Sequence, residues 1–530
     1  MNLQEPKPSL FGQAVRAAYR RGEEEEGMNP LILVDAGGKP LLRIADGDYV
    51  IFYDVRGERE IELTESLTDP SFPHFETNGL TAHFATMIEY DPKLKAHVAF
   101  PPLGAVPNTL SEVVSRAGLR QVKVVESEKA IHLSYFLNGK RDEPFPGEER
   151  VFIASRHDVK NFDECPEMCA AEVTRGIIEK LRDPKYDLII ANYANTDVVG
   201  HIEDREAILK AVATVDEETG KVVRAAGEAG VTLLITADHG TVEKWYYPDG
   251  AVDTGHTDSP VPFIIVPPSD DAARGTSLRE GGSLTDVAPT ILDLLGLPKC
   301  DEMTGDSLIA SRNDGPAGRV MLLILDGWGY RKEREGNLIA EAATPVMDLL
   351  MRKHPCTTLK AAGEAVGMPA GTVGNSESGH LHLGAGRVIP SDRVRITRAI
   401  KDGSFYCNEA FLWAMRNAKR ERRPLHLLGI VSFYSSHGSL DYLYALLDMA
   451  KREGLESVAI HGLLGRRGER PESGAWYVDQ VAEKCESLRI GTAATMMGRY
   501  WALDREENWD RVEKAYGALV NGEGEPVILR

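Results

Sequence analysis

The stretch VMLLILDGWG, residues 320–329, is a six-residue apolar run that stops at Asp326, followed by a glycine. A run this short, bounded by turn formers, reads as a strand buried on both faces. Two similar stretches lie earlier in the chain. LLITADHG, 233–240, ends an apolar run in Asp238 and His239. NYANTDVVGH, 192–201, carries Asp197 and His201 a few residues past the apolar run 188–191. Parallel α/β sheets bind ligands beyond the carboxyl ends of their strands, so three acidic loops at three such ends can converge on one spot. Taken alone, an aspartate after a strand is usually a cap or a turn residue. Asp197 and His201, four apart, share one side of a helical turn. TGHTDSPVP, 254–262, adds His256, and GTVGNSESGH, 371–380, adds Ser376 among small residues. Three carboxylates, three imidazoles and a hydroxyl are enough for two divalent cations and a nucleophile. Such ligands suit Mn or Zn, and two-metal sites perform phosphoryl chemistry.

Around these stretches, short apolar runs alternate with amphipathic ones. Strands are expected at 49–53, 122–125, 188–191, 232–236, 263–266, 320–325, 426–430 and 458–461. Helices are expected at 169–181, 205–229, 284–295, 345–352, 440–452 and 508–520. The alternation predicts an α/β fold with mainly parallel sheets. The most linker-like interior segment is SRNDGPAG, 311–318. The 530 residues are enough for two or more domains. With 61 basic and 81 acidic residues the net charge is −20, which argues against nucleic acid as a partner. An anionic substrate therefore needs a local basic pocket. Arg56, Arg59, Lys129, Arg467, Arg499 and Arg505 stand beside apolar runs, and arginine grips phosphate and carboxylate bidentately. Any one of them read singly is a surface or ion-paired residue. Six scattered cysteines without a CxxC pair read as reduced thiols of a cytoplasmic protein. No apolar run approaches a membrane span, and no signal region is apparent at the start.

Several longer motifs carry a resemblance. They include VMLLILDGWG, KAAGEAVGMPAGTVGNSESGHLHLGAGR (360–387), GRYWALDREENWDRVEKAY (498–516), YVIFYDVRGER (49–59), VVESEKAIHLSYFLNGK (124–140), PEMCAAEVT (166–174), NYANTDVVGH, ITADHG and GHTDSPVPFI. With them the chain resembles the cofactor-independent (2,3-bisphosphoglycerate-independent) phosphoglycerate mutases of the alkaline phosphatase superfamily, over nearly its whole length. The order of the motifs is not the family's. Residues 1–310 resemble the family's later portion and residues 319–530 its earlier portion, as in a circular permutation with the ancestral termini joined near 311–318. Permutation is tolerated where termini are close and the cut lies in an exposed loop.

The resemblance implies a two-domain α/β protein. An alkaline-phosphatase-like phosphatase domain, 105–395, is inserted into a phosphotransferase domain split between 1–104 and 396–530. It implies metal-dependent interconversion of 3-phosphoglycerate and 2-phosphoglycerate through a phosphoserine at Ser376. Two divalent ions, Mn2+ first with Zn2+, Co2+ or Mg2+ as alternatives, are expected in two sets. Asp238, His239, Asp326 and Ser376 form one; Asp197, His201 and His256 form the other. Lys129 is expected at the reacting group. Arg56, Arg59, Arg467, Arg499, Arg505, His437 and Lys129 are expected to hold the substrate. The partner implied is a small phosphorylated molecule, with no nucleic acid or membrane, and the protein is expected to be a cytoplasmic monomer.

Two stretches depart from the family. The SDGGVHSH type of loop reads SFYSSHGS at 432–439, which keeps His437 and loses a second histidine. LDGRDTPP reads LGRRGERP at 464–471. Arg467 is kept, but Gly468 replaces an aspartate that the resemblance ties to substrate contact and proton handling. Two other functions therefore stand beside the first. One is a divergent phosphomutase or phosphohydrolase with an altered substrate; the other is a low-turnover protein that binds a phosphorylated metabolite.

Overall fold

The computed structural model describes residues 7–156, 158–247, 249–268, 276–312, 318–433, 435–465 and 473–529. The chain forms two compact units. One comprises Met1–Pro102 with Arg395–Arg530; the other is Leu103–Val394.

In the Leu103–Val394 unit, seven strands form one sheet. The order is Cys356–Leu359, Val261–Val266, Thr232–Thr236, Val320–Leu325, Leu188–Tyr193, Gln121–Glu126 and Glu148–Ile153. The first two strands pair antiparallel, and Val261–Val266 also runs antiparallel to Thr232–Thr236. The other pairs are parallel. Val320–Leu325 sits between Thr232–Thr236 and Leu188–Tyr193, and every residue of these three strands is buried. Their largely apolar character follows from burial on both faces, with Asn192, Thr232 and Thr236 as the polar exceptions. Helices Ala170–Arg182, Arg205–Glu228 and Val287–Leu295 pack on the sheet with apolar residues such as Ile177, Ile208, Val215 and Ile291 in the common core.

Register decides what this sheet presents. Leu325 lies opposite Tyr193, and Ile324 lies opposite Thr236. The three central strands therefore end level, and the residues just past them, Asp326, Ala194 onward and Ala237–Asp238, leave the same edge together. The Asp326 N–H donates to the Tyr193 carbonyl at 3.0 Å, extending the ladder one residue into the loops.

In the other unit, eight strands form a second sheet. The order is Glu525–Ile528, Leu31–Val34, Thr492–Gly498, Val458–Leu464, Leu425–Ile430, Tyr49–Phe52, His83–Ile88 and Ala96–Phe100. Only the pairing of Leu31–Val34 with Thr492–Gly498 is antiparallel. Tyr49, Ile51, Leu425 and Leu427 enter one core, while Val50, Phe52, Leu428 and Ile430 enter another. That period-two division marks two covered faces. The central pairing joins Leu425–Ile430 to Tyr49–Phe52, so the two ends of the chain share one sheet.

Two sequence expectations change in detail. The helix expected over 508–520 is α-helical only over Trp509–Tyr516 and continues as a π turn over Gly517–Asn521. Gly517 and Gly522 bracket that turn, where glycine weakens the α form. The segment 284–295 opens with a 3-10 turn, Leu284–Asp286, held by a Ser283–Asp286 capping box before the helix Val287–Leu295. Of the linker-like stretch 311–318, residues 313–317 lie outside the described residues, and Ser311 ends the short strand Ile309–Ser311. No helix among the described residues is long and apolar enough to cross a membrane.

Candidate active site

The level strand ends bring Asp197, Asp238, His239 and Asp326 together. Asp197 lies in the short helix Asn195–Gly200, and His201 caps its C-terminus. Asp238, His239 and Asp326 are fully buried, and Asp197 is nearly so. Gly327 makes the turn possible. Its φ is +75°, and a Cβ there would meet Asp197 Cα at 2.9 Å.

Ser376 is the first residue of the helix Ser376–Ala385, whose N-cap Asn375 accepts from the Ser378 N–H at 2.8 Å. A helix N-terminus favours an anionic group. Gly379 lets this helix press against the Asp238 loop, because a Cβ there would lie 2.5 Å from the Asp238 carbonyl oxygen. Ser376 Oγ stands 2.9 Å from His239 Nε2 and 3.3 Å from Asp326 Oδ1. Lys129 Nζ donates to Ser376 Oγ at 2.7 Å, Asp326 Oδ1 at 2.7 Å and Asp197 Oδ2 at 2.6 Å. Burial pulls the Lys129 pKa down, but Asp326, Asp197 and Asp238 outweigh it and raise it above its ordinary value.

The histidine tautomers test whether these residues fit a cation. His201 Nδ1 donates to the Thr254 carbonyl at 2.7 Å, and His256 Nδ1 donates to the Gly374 carbonyl at 3.0 Å. In the neutral rings each Nε2 then carries a lone pair. These two Nε2 atoms are 3.0 Å apart, and they lie 3.3 and 3.1 Å from Asp197 Oδ1. Three ligand atoms bound at about 2.1 Å to one ion are separated by roughly 3.0–3.4 Å. Carbonyls holding the far ring nitrogen are the usual support of metal-bound histidine. Asp238, His239 and Asp326 form a second group whose ligand atoms all lie within 4.8 Å of one another. In that group His239 Nε2 is 3.4 Å from Asp238 Oδ2 and 3.6 Å from Asp326 Oδ1. Asp238 Oδ2 is buried and also faces His380 Nδ1 at 3.3 Å. Both sets fit divalent ions.

Two residues not singled out from sequence complete the site. Asn192 Nδ2 donates to Asp326 Oδ2 at 2.8 Å and to His380 Nε2 at 3.1 Å. His380 Nδ1 donates to the Ser376 carbonyl at 2.9 Å. His380 lies one helical turn after Ser376, a spacing visible in GNSESGH. Asn192 falls inside the strand, whose apolar run masks it.

Of the residues expected to hold substrate, Lys129 belongs to this site, while Arg56, Arg59, Arg499, Arg505 and His437 belong to the other unit. Arg56 Nε and Arg505 Nη1 approach the same Glu58 Oε1, at 2.7 and 3.7 Å. Arg59 Nη1 donates to the Leu503 carbonyl, and Arg499 pairs with Glu26. Burial, then the neighbouring Arg505, Arg56 and Arg499, lower the Arg59 pKa. His437 is buried with Nδ1 3.3 Å from Glu60 Oε1. Its pKa is lowered to about 3 by burial and then by Arg499, Arg56 and Arg59. Arg467 and Gly468 lie outside the described residues.

The family model described as the Metalloenzyme superfamily matches residues 47–299. The one described as the BPG-independent PGAM N-terminus matches residues 396–528. The 2,3-bisphosphoglycerate-independent phosphoglycerate mutase of Moorella thermoacetica is 45% identical over 299 residues, 56% of this chain and 56% of that protein. Its namesake from Desulforudis audaxviator is 45% identical over 306 residues, 57% and 58% of the two chains. A solved phosphoglycerate mutase of Leishmania mexicana, at low cobalt concentration, matches 52% of this chain and 53% of its own at 29% identity, with a TM-score of 0.37. The chain thus spans a little over half the length of the curated relatives it matches. Over the matched lengths the chain is similar to the 2,3-bisphosphoglycerate-independent phosphoglycerate mutases, with a region matching the Metalloenzyme superfamily followed by one matching the model of their N-terminus.

Proposed function

We propose that the chain is a metal-dependent phosphoglycerate mutase that interconverts 3-phosphoglycerate and 2-phosphoglycerate through a phosphoserine at Ser376. The observation that carries this reading is the Ser376 hydroxyl, buried at a helix N-terminus within 2.7 Å of Lys129 Nζ and 2.9 Å of His239 Nε2. Asp197, His201 and His256 would hold one divalent ion; Asp238, His239, Asp326 and Ser376 would hold a second. Mn2+ is the first choice, with Zn2+, Co2+ and Mg2+ as alternatives. When bound, such ions neutralise phosphoryl charge and acidify a coordinated hydroxyl.

The chain's own groups do the rest. Ser376 Oγ forms a bond to phosphorus as the bond to one glycerate oxygen breaks; that oxygen keeps the electron pair and takes up the proton that Ser376 gives up. Lys129, held charged by its carboxylates, offsets the negative charge that gathers on the phosphoryl oxygens. The helix beginning at Ser376 favours the phosphoserine. Transfer back to the neighbouring glycerate oxygen restores the serine. Arg56, Arg59, Arg499 and Arg505, with Arg467 and His437, would hold the substrate's anionic groups.

We further propose that the order of the chain is circularly permuted, with a phosphatase domain at 105–395 and ancestral termini joined near 311–318. Two findings support this. The region of the mutases' N-terminal kind lies after the metalloenzyme region, and both chain ends build one compact unit. The protein is expected to act as a cytoplasmic monomer on a small phosphorylated molecule.

A second reading, a phosphomutase or phosphohydrolase of altered substrate, is favoured by Gly468, where the family resemblance places an aspartate. Assaying the purified chain with Mn2+ on 3-phosphoglycerate, coupled to enolase, separates the two. Formation of 2-phosphoglycerate supports the mutase; inorganic phosphate alone supports the hydrolase.

A further inference from the structure

Beyond the Tyr49–Phe52 strand, Asp54 and Glu60 lie against His437 within the unit built from the two chain ends. Each of the three offers one ligand atom, and these atoms all lie within 4.8 Å of one another. Asp54 and Glu60 are 0% exposed, and His437 is 1% exposed. This cluster is separate from the Lys129–Ser376 centre in composition and belongs to a different compact unit.

The polar bonding around the cluster is incomplete. Asp54 Oδ1 accepts from the Ile430 N–H at 2.8 Å, but Asp54 Oδ2 has no hydrogen-bond partner. Glu60 Oε1 faces His437 Nδ1 at 3.3 Å, but Glu60 Oε2 likewise has none. Buried carboxylate oxygens are rarely left so. The nearby guanidiniums are engaged elsewhere: Arg56 with Glu58, Arg499 with Glu26, and Arg59 with the Leu503 carbonyl. Among the described residues, no lysine or arginine forms an ion pair with Asp54 or Glu60. Two buried carboxylates without a cation are costly.

We propose that Asp54, Glu60 and His437 form a third divalent-cation site. One dication balances the two carboxylates and takes the orphaned Oδ2 and Oε2. At 3.3 Å, His437 Nδ1 and Glu60 Oε1 are further apart than in a charge-assisted hydrogen bond. Two carboxylate oxygens and one imidazole nitrogen suit a transition ion such as Mn2+ or Zn2+. Asp54 and Glu60 come from the start of the chain and His437 from its last quarter. The Val55 N–H also donates to the His437 carbonyl. A cation here would therefore pin the segment bearing Arg56 and Arg59 to the loop bearing His437.

The test is metal stoichiometry on the full chain, dialysed to equilibrium against Mn2+ and, separately, Zn2+. Wild-type protein should hold three equivalents of at least one ion. Glu60→Gln and Asp54→Asn should each hold one fewer, with lower melting temperature gain from the metal. The Asp197→Asn/Asp238→Asn double variant should keep the third equivalent. If Glu60→Gln binds as much of both ions as wild type, the proposal is overturned. If Glu60→Gln does not fold, the double variant decides: a retained equivalent supports the site, and none overturns it. The loss of metal between wild type and the double variant reads the Ser376 centre independently.

Discussion

Ser376 holds its hydroxyl where three other groups converge, and no one of them is legible from its own position in sequence. The serine was marked by its small neighbours Gly374 and Gly379. In the structure those glycines permit close packing. Gly379 admits the Asp238 loop, and Gly374 passes within 2.4 Å of the Ala361 carbonyl, measured from where its Cβ would be. Ser376→Ala should leave the melting temperature within a few degrees of wild type and lower phosphoryl transfer by roughly 10⁴-fold or more, as expected for removal of a covalent nucleophile. Lys129→Met should lower kcat by about 10²–10³-fold, the usual loss of one preorganised donor at developing charge. A kcat unchanged in Lys129→Met would mean that the 2.7 Å contact with Ser376 Oγ has no part in transfer. At position 468 the sequence alone speaks. If its glycine leaves a substrate hydroxyl without an acceptor, at a cost of ~1–3 kcal/mol, Gly468→Asp should raise turnover of 3-phosphoglycerate by about ten- to a hundredfold. A fall in turnover would show instead a loop built around glycine.

At the scale of elements, the apolar runs carried most of the information. Val320–Leu325 and Thr232–Thr236 are strands over the residues their composition marks, because burial on both faces leaves few polar positions, only the two terminal threonines of the second, to blur the pattern. Edge strands were harder to see. Ala96–Phe100 and Glu148–Ile153 are only partly buried and carry polar residues, so they lack that signature. The convergence of Asp326 with Asp197 and Asp238 needed register, which no single sequence displays. The helix from Ser376 offers a direct check. Gly379→Ala would put a methyl carbon 2.5 Å from the Asp238 carbonyl oxygen, so the helix must retreat from the loop. Activity should fall by an order of magnitude or more while far-UV circular dichroism stays near wild type, since a misplacement of about 1 Å costs about 10²-fold. Wild-type activity in Gly379→Ala would show that this close packing does not set the Ser376 geometry.

For the molecule as a whole, the motif order and the compact units point the same way. Residues 103–394 carry their own seven-stranded sheet and core, so this segment expressed alone should melt cooperatively. A broad, non-cooperative transition would contradict its independence. The other unit must pair Tyr49–Phe52 with Leu425–Ile430 across more than 370 residues of chain. That separation raises contact order and should slow its folding relative to residues 103–394, with little effect on final stability. Dialysis of the full chain against chelator should abolish phosphoryl transfer, and Mn2+ should restore it. A covalent phosphoserine is the central step. The full chain, loaded with Mn2+ and mixed with 3-phosphoglycerate, should yield on rapid acid quench a tryptic peptide phosphorylated at Ser376, absent from Ser376→Ala, together with 2-phosphoglycerate. Turnover to 2-phosphoglycerate by the Ser376→Ala protein, or a phosphoryl group trapped on another residue, would contradict it.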